Sequence, residues 1–204
     1  ELDFAEPRPP ESEKICVVGA GPAGLSYASL VAESNTVTVI ERAQGPGGAF
    51  HHTGKAPVFG EVEAVESSFE AYVAGLERDC RDKGVEFRYG LDAAEHPEVL
   101  VPYDHLVFAT GARYRYGLGL LASRLLDSGL GKSKPGRRLF AFQRVRDWLY
   151  YGARRGTGQE VRRLARPGQK VTVIGDAARA GKARDAIDGA FRAALLARGR
   201  RRTA

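Results

Sequence analysis

Cysteine is scarce in this 204-residue chain: there are two, Cys16 and Cys80. No Cys-x-x-Cys pair exists, which excludes a redox-active dithiol, and two isolated cysteines supply no disulfide framework. That usage makes a reducing cytoplasm the expected compartment. Four histidines, including the His51-His52 pair, show no ligand spacing with cysteine or acid partners, so no structural zinc site is expected. Long apolar runs are missing too. None approaches the roughly 18 residues of a membrane span, which predicts a soluble chain. Residues 1–13, ELDFAEPRPPESE, have neither a basic start nor an apolar centre and are no secretory signal. They read as an acidic, proline-containing linker or terminal arm, consistent with a chain that continues from something upstream.

What is present is a globular composition, 43% hydrophobic and 27% charged, in a chain long enough to bury a real core. Its organising stretch is Lys14 to Glu41, KICVVGAGPAGLSYASLVAESNTVTVIE. The apolar run Ile15 to Val18 ends in Gly19-Ala20-Gly21-Pro22-Ala23-Gly24. A helix-like segment follows, and a second apolar run, Val37 to Ile40, stops at Glu41. This is a β-α-β unit with a dinucleotide signature. A phosphate must approach unpaired backbone N–H groups at the positive end of a helix. A side chain at Gly19 or Gly21 would block the turn or the ligand, and one at Gly24 would hold the helix off the strand. Glu41 lies where an acid accepts hydrogen bonds from ribose hydroxyls.

Beyond Glu41 the stretch from Gly45 is a loop in which Gly47-Gly48 permits a second close backbone approach. Val65, Phe69, Val73 and Leu76 share the spacing of one helical face within residues 62–83, and Gly84 ends that helix. Residues 85–89 alternate as a short strand. A further apolar strand ends at Ala109-Thr110-Gly111. Residues 170–174 read as a buried strand closing on Gly175-Asp176, and residues 182–198 as a helix carrying Ala186 and Ile187. Asp176 taken alone also has the lesser reading of a helix cap.

Residues 113–170 differ in kind. They carry a net charge of +12, against −11 for residues 1–112 and +5 for residues 171–204. Leu118, Leu121, Leu125 and Leu126 suggest an amphipathic helix, closed by the glycine-rich stretch from Ser128 to Gly136. Residues 139–155, LFAFQRVRDWLYYGARR, suggest a second. A basic helix with aromatic residues either docks on the core or meets a protein, membrane surface or nucleic acid. No recognised nucleic-acid module accompanies it, so nucleic acid is not expected as a partner.

Four ordered motifs carry a family resemblance: VVGAGPAGLS at 17–26, VIERAQGPGG at 39–48, VFATGA at 107–112 and VIGDAARAGKARDAIDGAFRAA at 173–194. The chain resembles the flavin-binding domain of the two-dinucleotide-binding-domain flavoproteins. It looks most like the carboxy-terminal part of the 2,4-dienoyl-CoA reductase and trimethylamine dehydrogenase family. The resemblance implies an α/β, Rossmann-like FAD-binding domain, a parallel sheet with flanking helices. It implies that Gly19, Gly21, Pro22, Ala23 and Gly24 hold the FAD pyrophosphate, that Glu41 binds the adenosine ribose and that Arg42 lies beside the adenine. Gly47 and Gly48 would line the flavin side. Ala109, Thr110 and Gly111 would meet the cofactor where the chain leaves the domain. Gly175 and Asp176 would contact the ribityl or pyrophosphate region, with Ala186 and Ile187 in the helix below the flavin.

The chain departs from that family between Gly111 and Val171, where relatives insert a second dinucleotide domain. Here the interval holds 59 residues and no strand followed by a glycine loop. The expected division is therefore an arm at 1–13, a discontinuous FAD domain at 14–112 and 171–198, a short basic helical insertion at 113–170 and a basic tail at 199–204. No acid, base or nucleophile constellation is apparent. His51, His52 and Tyr114 lie near cofactor loops within reach of a substrate but read rather as loop or packing residues. Three functions fit. The chain is a small FAD-binding oxidoreductase subunit exchanging electrons with a TIM-barrel flavin or iron–sulfur partner. Alternatively it is a stand-alone flavin enzyme reduced by NAD(P)H, or a non-catalytic module holding ADP in place of FAD.

Overall fold

The computed structural model describes residues 12–50, 66–114, 124, 128, 133–142, 144, 154–181 and 183–199. Its centre is the strand β1 (Lys14–Val18), four of whose five residues are buried. Alternate side chains enter two different cores. Ile15 and Val17 join one cluster, and Cys16 and Val18 the other. A strand buried on both faces must read as a continuous apolar run, which is what a parallel sheet covered on both sides demands.

β2 (Thr36–Glu41), β3 (Glu86–Tyr89), β4 (His105–Phe108) and β7 (Lys170–Val173) complete a five-stranded sheet in the order β3-β2-β1-β4-β7. Every neighbouring pair is parallel. One face is covered by α1 (Pro22–Val31), which packs against both α2 (Glu66–Asp82) and α5 (Ala183–Gly199). The other is covered by Ala93, Leu100 and Tyr103, with Val161 and Leu164 beside them. The sheet and its flanking layers make a Rossmann-like α/β fold.

α2 presents Val73 to the core and leaves Phe69 and Leu76 half-buried, the face its spacing predicts. Val65 lies outside the described residues. Gly84, at φ +78°, ends the segment in a conformation that favours glycine. α5 divides its apolar residues differently from the sequence pattern. Ala190 and Ala194 are buried against α1, while Phe191, Leu195 and Leu196 are 45%, 61% and 65% exposed. Only a small side chain fits where two helices approach closely, so alanine takes the inner face and the larger residues are turned outward.

The basic segment departs furthest from expectation. The glycine-rich composition predicts a break up to Gly136, yet α3 spans Lys134–Ala141. Helical periodicity extends through Arg155, whereas β6 (Arg154–Gly156) pairs antiparallel with β5 (Ala112–Tyr114). α4 (Gly158–Val161) follows it. The strand pair forms because the chain leaving β4 and the chain returning to β7 must run side by side in opposite directions. The predicted helix at Leu118 to Leu126, save its single position 124, lies outside the described residues, as do Trp148, Tyr150 and Tyr151. His51 and His52 also lie outside them.

Candidate functional site

The carboxyl ends of β1, β2, β4 and β7 carry the glycines and acids singled out above. From β1 the chain connects to β2 on one side, while β4 pairs on the other, so β1 and β4 flank the point where strand order reverses. Parallel sheets open a ligand crevice at that place.

The loop after β1 is shaped by two close approaches. Gly19, at φ +111°, has no room for a side chain, since a Cβ there would stand 2.5 Å from the Ala109 carbonyl oxygen. At Gly24 a Cβ would collide with the carbonyl oxygen of Gly19 and lie 3.2 Å from the Ala109 methyl. Together these glycines let α1 start directly against the ends of β1 and β4. Gly21 is the opposite case: a Cβ there would meet no protein atom within 4 Å. The space in front of Gly21 is therefore open, and it stands at the N-terminus of a ten-residue helix. That terminus has no side-chain cap and no acid in its first turn, and Pro22 lacks the N–H that would otherwise be orphaned there. The unpaired N–H groups of Ala23 and Gly24 and the positive end of the helix dipole suit an anion.

Glu41 closes this loop from β2. Its Oε2 accepts the Ala20 N–H at 2.8 Å and its Oε1 accepts the Ala43 N–H at 2.9 Å. Each carboxylate oxygen keeps a lone pair for a further donor, such as a ribose hydroxyl. Gly47 donates to the Ala20 carbonyl at 2.9 Å, and a Cβ on Gly48 would stand 3.3 Å from the Gly21 Cα. The Gly47-Gly48 turn thus lies beside the same loop. Arg42 is exposed.

β7 brings its own turn to this place. Gly175, at φ +60°, would put a Cβ 2.8 Å from the Ala23 methyl and 3.4 Å from that of Ala186. Gly175, Ala23 and Ala186 therefore meet at the start of α1. Ile187, one residue on, goes elsewhere. It lines an open groove of about 680 Å³ with Phe50, Phe69, Tyr72 and Phe191, rimmed by Arg184 and Asp188. That apolar groove lies between α2 and α5 and shares no other residue with the expected cofactor set.

Asp176 is engaged from an unexpected direction. Arg154 of β6 stands 3.2 Å from its Oδ2, and the Gly181 N–H donates to its Oδ1 at 3.1 Å. Burial pushes the Asp176 carboxyl above the ordinary aspartate range, and the Arg154 guanidinium pulls it back. Thr157 is a second residue that no sequence motif selects. Its hydroxyl donates to the Gly111 carbonyl at 3.0 Å and sits 2.7 Å from the Thr110 hydroxyl. Arg154 lies at the end of a basic stretch read as helical through Arg155, Thr157 lies just beyond it, and no local signal marks either. Cys16 and Cys80 contribute no nucleophile: burial pushes their thiols up to about 12 and about 11. Among the described residues, no group of histidines, cysteines and acids is placed to hold a metal. Nor is any helix among them long and apolar enough to cross a membrane.

Comparison with known proteins gives four further findings. The NADPH-dependent glutamate synthase small chain of Mycobacterium tuberculosis, in two strains, is 28% identical over 188 residues, covering 84% of this chain and 33% of its own length. The chain thus spans about a third of the curated relatives it matches. In a 2-naphthoyl-CoA reductase structure the fold recurs over 91% of this chain and 40% of that one, at 15% identity and a TM-score of 0.63. Histamine dehydrogenase from Rhizobium sp. 4-9 is 24% identical over 52% of this chain and 14% of its own, with a TM-score of 0.39. Residues 17–64, the loop after β1 and the turn at Gly47-Gly48 included, match the NAD(P)-binding Rossmann-like domain family, in keeping with the Rossmann-like fold of the sheet.

Proposed function

We propose that the chain binds FAD at the ends of β1, β2, β4 and β7 and serves as the flavin-binding part of an oxidoreductase that works with a protein partner. The observation that carries this reading is the open space before Gly21, framed by an uncapped helix N-terminus and by Glu41. A diphosphate fits the first and a ribose the second. Gly47, Gly48, Ala109, Thr110 and Gly111 would bound the pocket, Arg42 would flank the adenine, and Gly175, Asp176 and Ala186 would meet the flavin end. Ile187 would lie behind this wall, in the apolar groove.

When bound, the flavin supplies the redox chemistry, and this chain supplies position and charge. The helix dipole offsets the pyrophosphate charge, and Glu41 favours a ribose that carries free hydroxyls over one bearing a phosphate. A partner role is supported by the relatives: glutamate synthase small chains are, by name, parts of a larger enzyme, and this chain spans a third of them. The proposed division stays as the sequence suggests, with 14–112 and 171–198 as the cofactor domain and 113–170 as the insertion, whose stem is now a strand pair. The arginines of that stem favour this reading over direct NAD(P)H binding. Arg113 and Arg155 pair with Glu160, and Arg154 with Asp176.

The test is the absorption spectrum and the mass of the nucleotide released from purified protein. Flavin bands with one FAD per chain are expected. A colourless protein releasing ADP would instead make it a non-catalytic nucleotide module. Rapid bleaching of the flavin by NADH or NADPH without a partner would replace the subunit role with a stand-alone reductase.

A further inference from the structure

Asp176, Arg154 and Gly181 close a ring. Arg154 contacts Oδ2 of Asp176 through Nη1 at 3.2 Å, and its Nη2 donates to the Gly181 carbonyl at 3.2 Å. The Gly181 N–H returns to Oδ1 of Asp176 at 3.1 Å. The side chains of Arg154 and Asp176 are only 14% and 18% exposed, so the pair is shielded from solvent on most sides. Such a pair differs from the solvated Arg113–Glu160 contact on the same stem, at 64% and 41% exposure.

The backbone is built to bring Arg154 there. A Cβ on Gly156 would stand 2.9 Å from the Asp176 carbonyl oxygen and closer still to that of Ala177. On Gly158 it would be 2.9 Å from the Ala177 oxygen. Glycine at both positions lets the returning strand lie flat on the turn after β7. Thr157, between them, fastens the same strand to Thr110 and Gly111. The stem of the insertion is therefore bound to two of the strand ends that frame the crevice.

We infer that Arg154 is a positioning residue that fixes the Asp176 carboxylate and the turn from Gly175 to Gly181 for the cofactor. This rests on the proposal above that Asp176 meets the flavin end. A carboxylate only 18% exposed is easier to ionise beside a positive partner, and the helix that follows supplies the opposite. Asp185, on α5, raises the cost of ionising Asp176, whereas Arg154, from the insertion, lowers it. With Arg154 in place, one Asp176 oxygen faces the guanidinium and the other accepts the Gly181 N–H. Without it, the carboxyl takes up a proton at higher pH and the turn loses the bond to Gly181.

The experiment compares Arg154→Gln, which keeps hydrogen-bond donors without the charge, and Arg154→Lys, which keeps the charge, with the unaltered chain. Two readouts are used: the carboxyl-carbon NMR titration of Asp176 in nucleotide-free protein, assigned with Asp176→Asn, and FAD affinity as a function of pH. In Arg154→Gln the Asp176 midpoint rises by about one pH unit or more. FAD affinity falls about tenfold, and its loss on acidification begins at correspondingly higher pH. Arg154→Lys restores the midpoint to near its original position. An unmoved midpoint in Arg154→Gln would overturn the inference. So would equal losses of affinity in both variants, which would mean the stem acts by packing alone. If the unaltered chain binds no FAD, the flavin reading fails, while the titration still decides what Arg154 does to Asp176.

Discussion

The turns after β1 and β7 sit at the same end of the same sheet and solve opposite problems. After β1, glycine removes side chains so that backbone N–H groups stand bare before open space, and no side chain caps the helix that begins there. After β7, glycine brings two backbones together and a half-buried carboxylate is paired with an arginine from 22 residues upstream. The first turn is built within one β-α-β unit and leaves its N–H groups open. The second is finished by the protein, through a segment that enters from outside the unit. The difference shows how a glycine beside a helix start serves either ligand access or backbone packing, depending on what occupies the space it leaves.

The sharpest way to break the comparison is to fill the glycines after β1. Gly19→Ala combines a positive φ with a clash against the Ala109 carbonyl. It should cost about 3 kcal/mol or more in urea unfolding, and Gly24→Ala a similar amount through its contact with Gly19. Gly21→Ala should behave differently, because the added methyl meets only solvent. Stability should move by no more than about 0.5 kcal/mol, while calorimetric FAD affinity drops about tenfold or more. Equal stability losses at Gly19 and Gly21 would erase the distinction between packing and access.

Glu41→Gln should lie between these extremes. It weakens two charge-assisted bonds to Ala20 and Ala43, costing about 1–2 kcal/mol, and lowers affinity for FAD more than for free flavin mononucleotide, which lacks the adenosine ribose. A variant that lost both affinities equally would remove Glu41 from the ribose site. The smallest effect is expected far from the crevice, where Asp79 accepts hydrogen bonds from the Ser29 hydroxyl and, at 3.0 Å, from Lys83, joining α2 to α1. The Ser29 bond, and then Lys83, hold its carboxyl below the ordinary value of 3.8. A depressed folded value means stability that is present above pH 3.8 and lost as pH falls through the folded value. Because Asp79 is half exposed, Asp79→Asn should cost only about 0.5 kcal/mol at neutral pH, and the gap should close under acid. A gap that widened on acidification would reverse the assignment.

Much of the sheet was legible because a parallel strand buried on both faces must be apolar throughout, as Ile15 to Val18, Val37 to Ile40 and Leu106 to Phe108 are. The loop after β1 was legible for a related reason: three glycines at fixed spacing are hard to explain except by close backbone approach. α2 was readable from its one-sided face. The stem of the insertion was not. Arg154 and Arg155 end a segment of helical periodicity, and nothing local tells a residue that it must pair with Arg113 and Tyr114, some forty positions earlier. The facing of α5 was hidden as well, since alanine and leucine look alike to a periodicity argument and only the distance to α1 separates them.

The sequence by itself determined the β-α-β unit, the glycine loop, the acid at the end of β2 and the crevice those features imply, because each depends on residues within one short stretch. Only the tertiary structure decided that Asp176 is held by Arg154, that Thr157 fastens the insertion to Gly111 and that Ile187 belongs to a separate apolar groove. Those arrangements join residues far apart in the chain. The free energy that selects them comes from burial and pairing, which exist only once the chain has closed on itself.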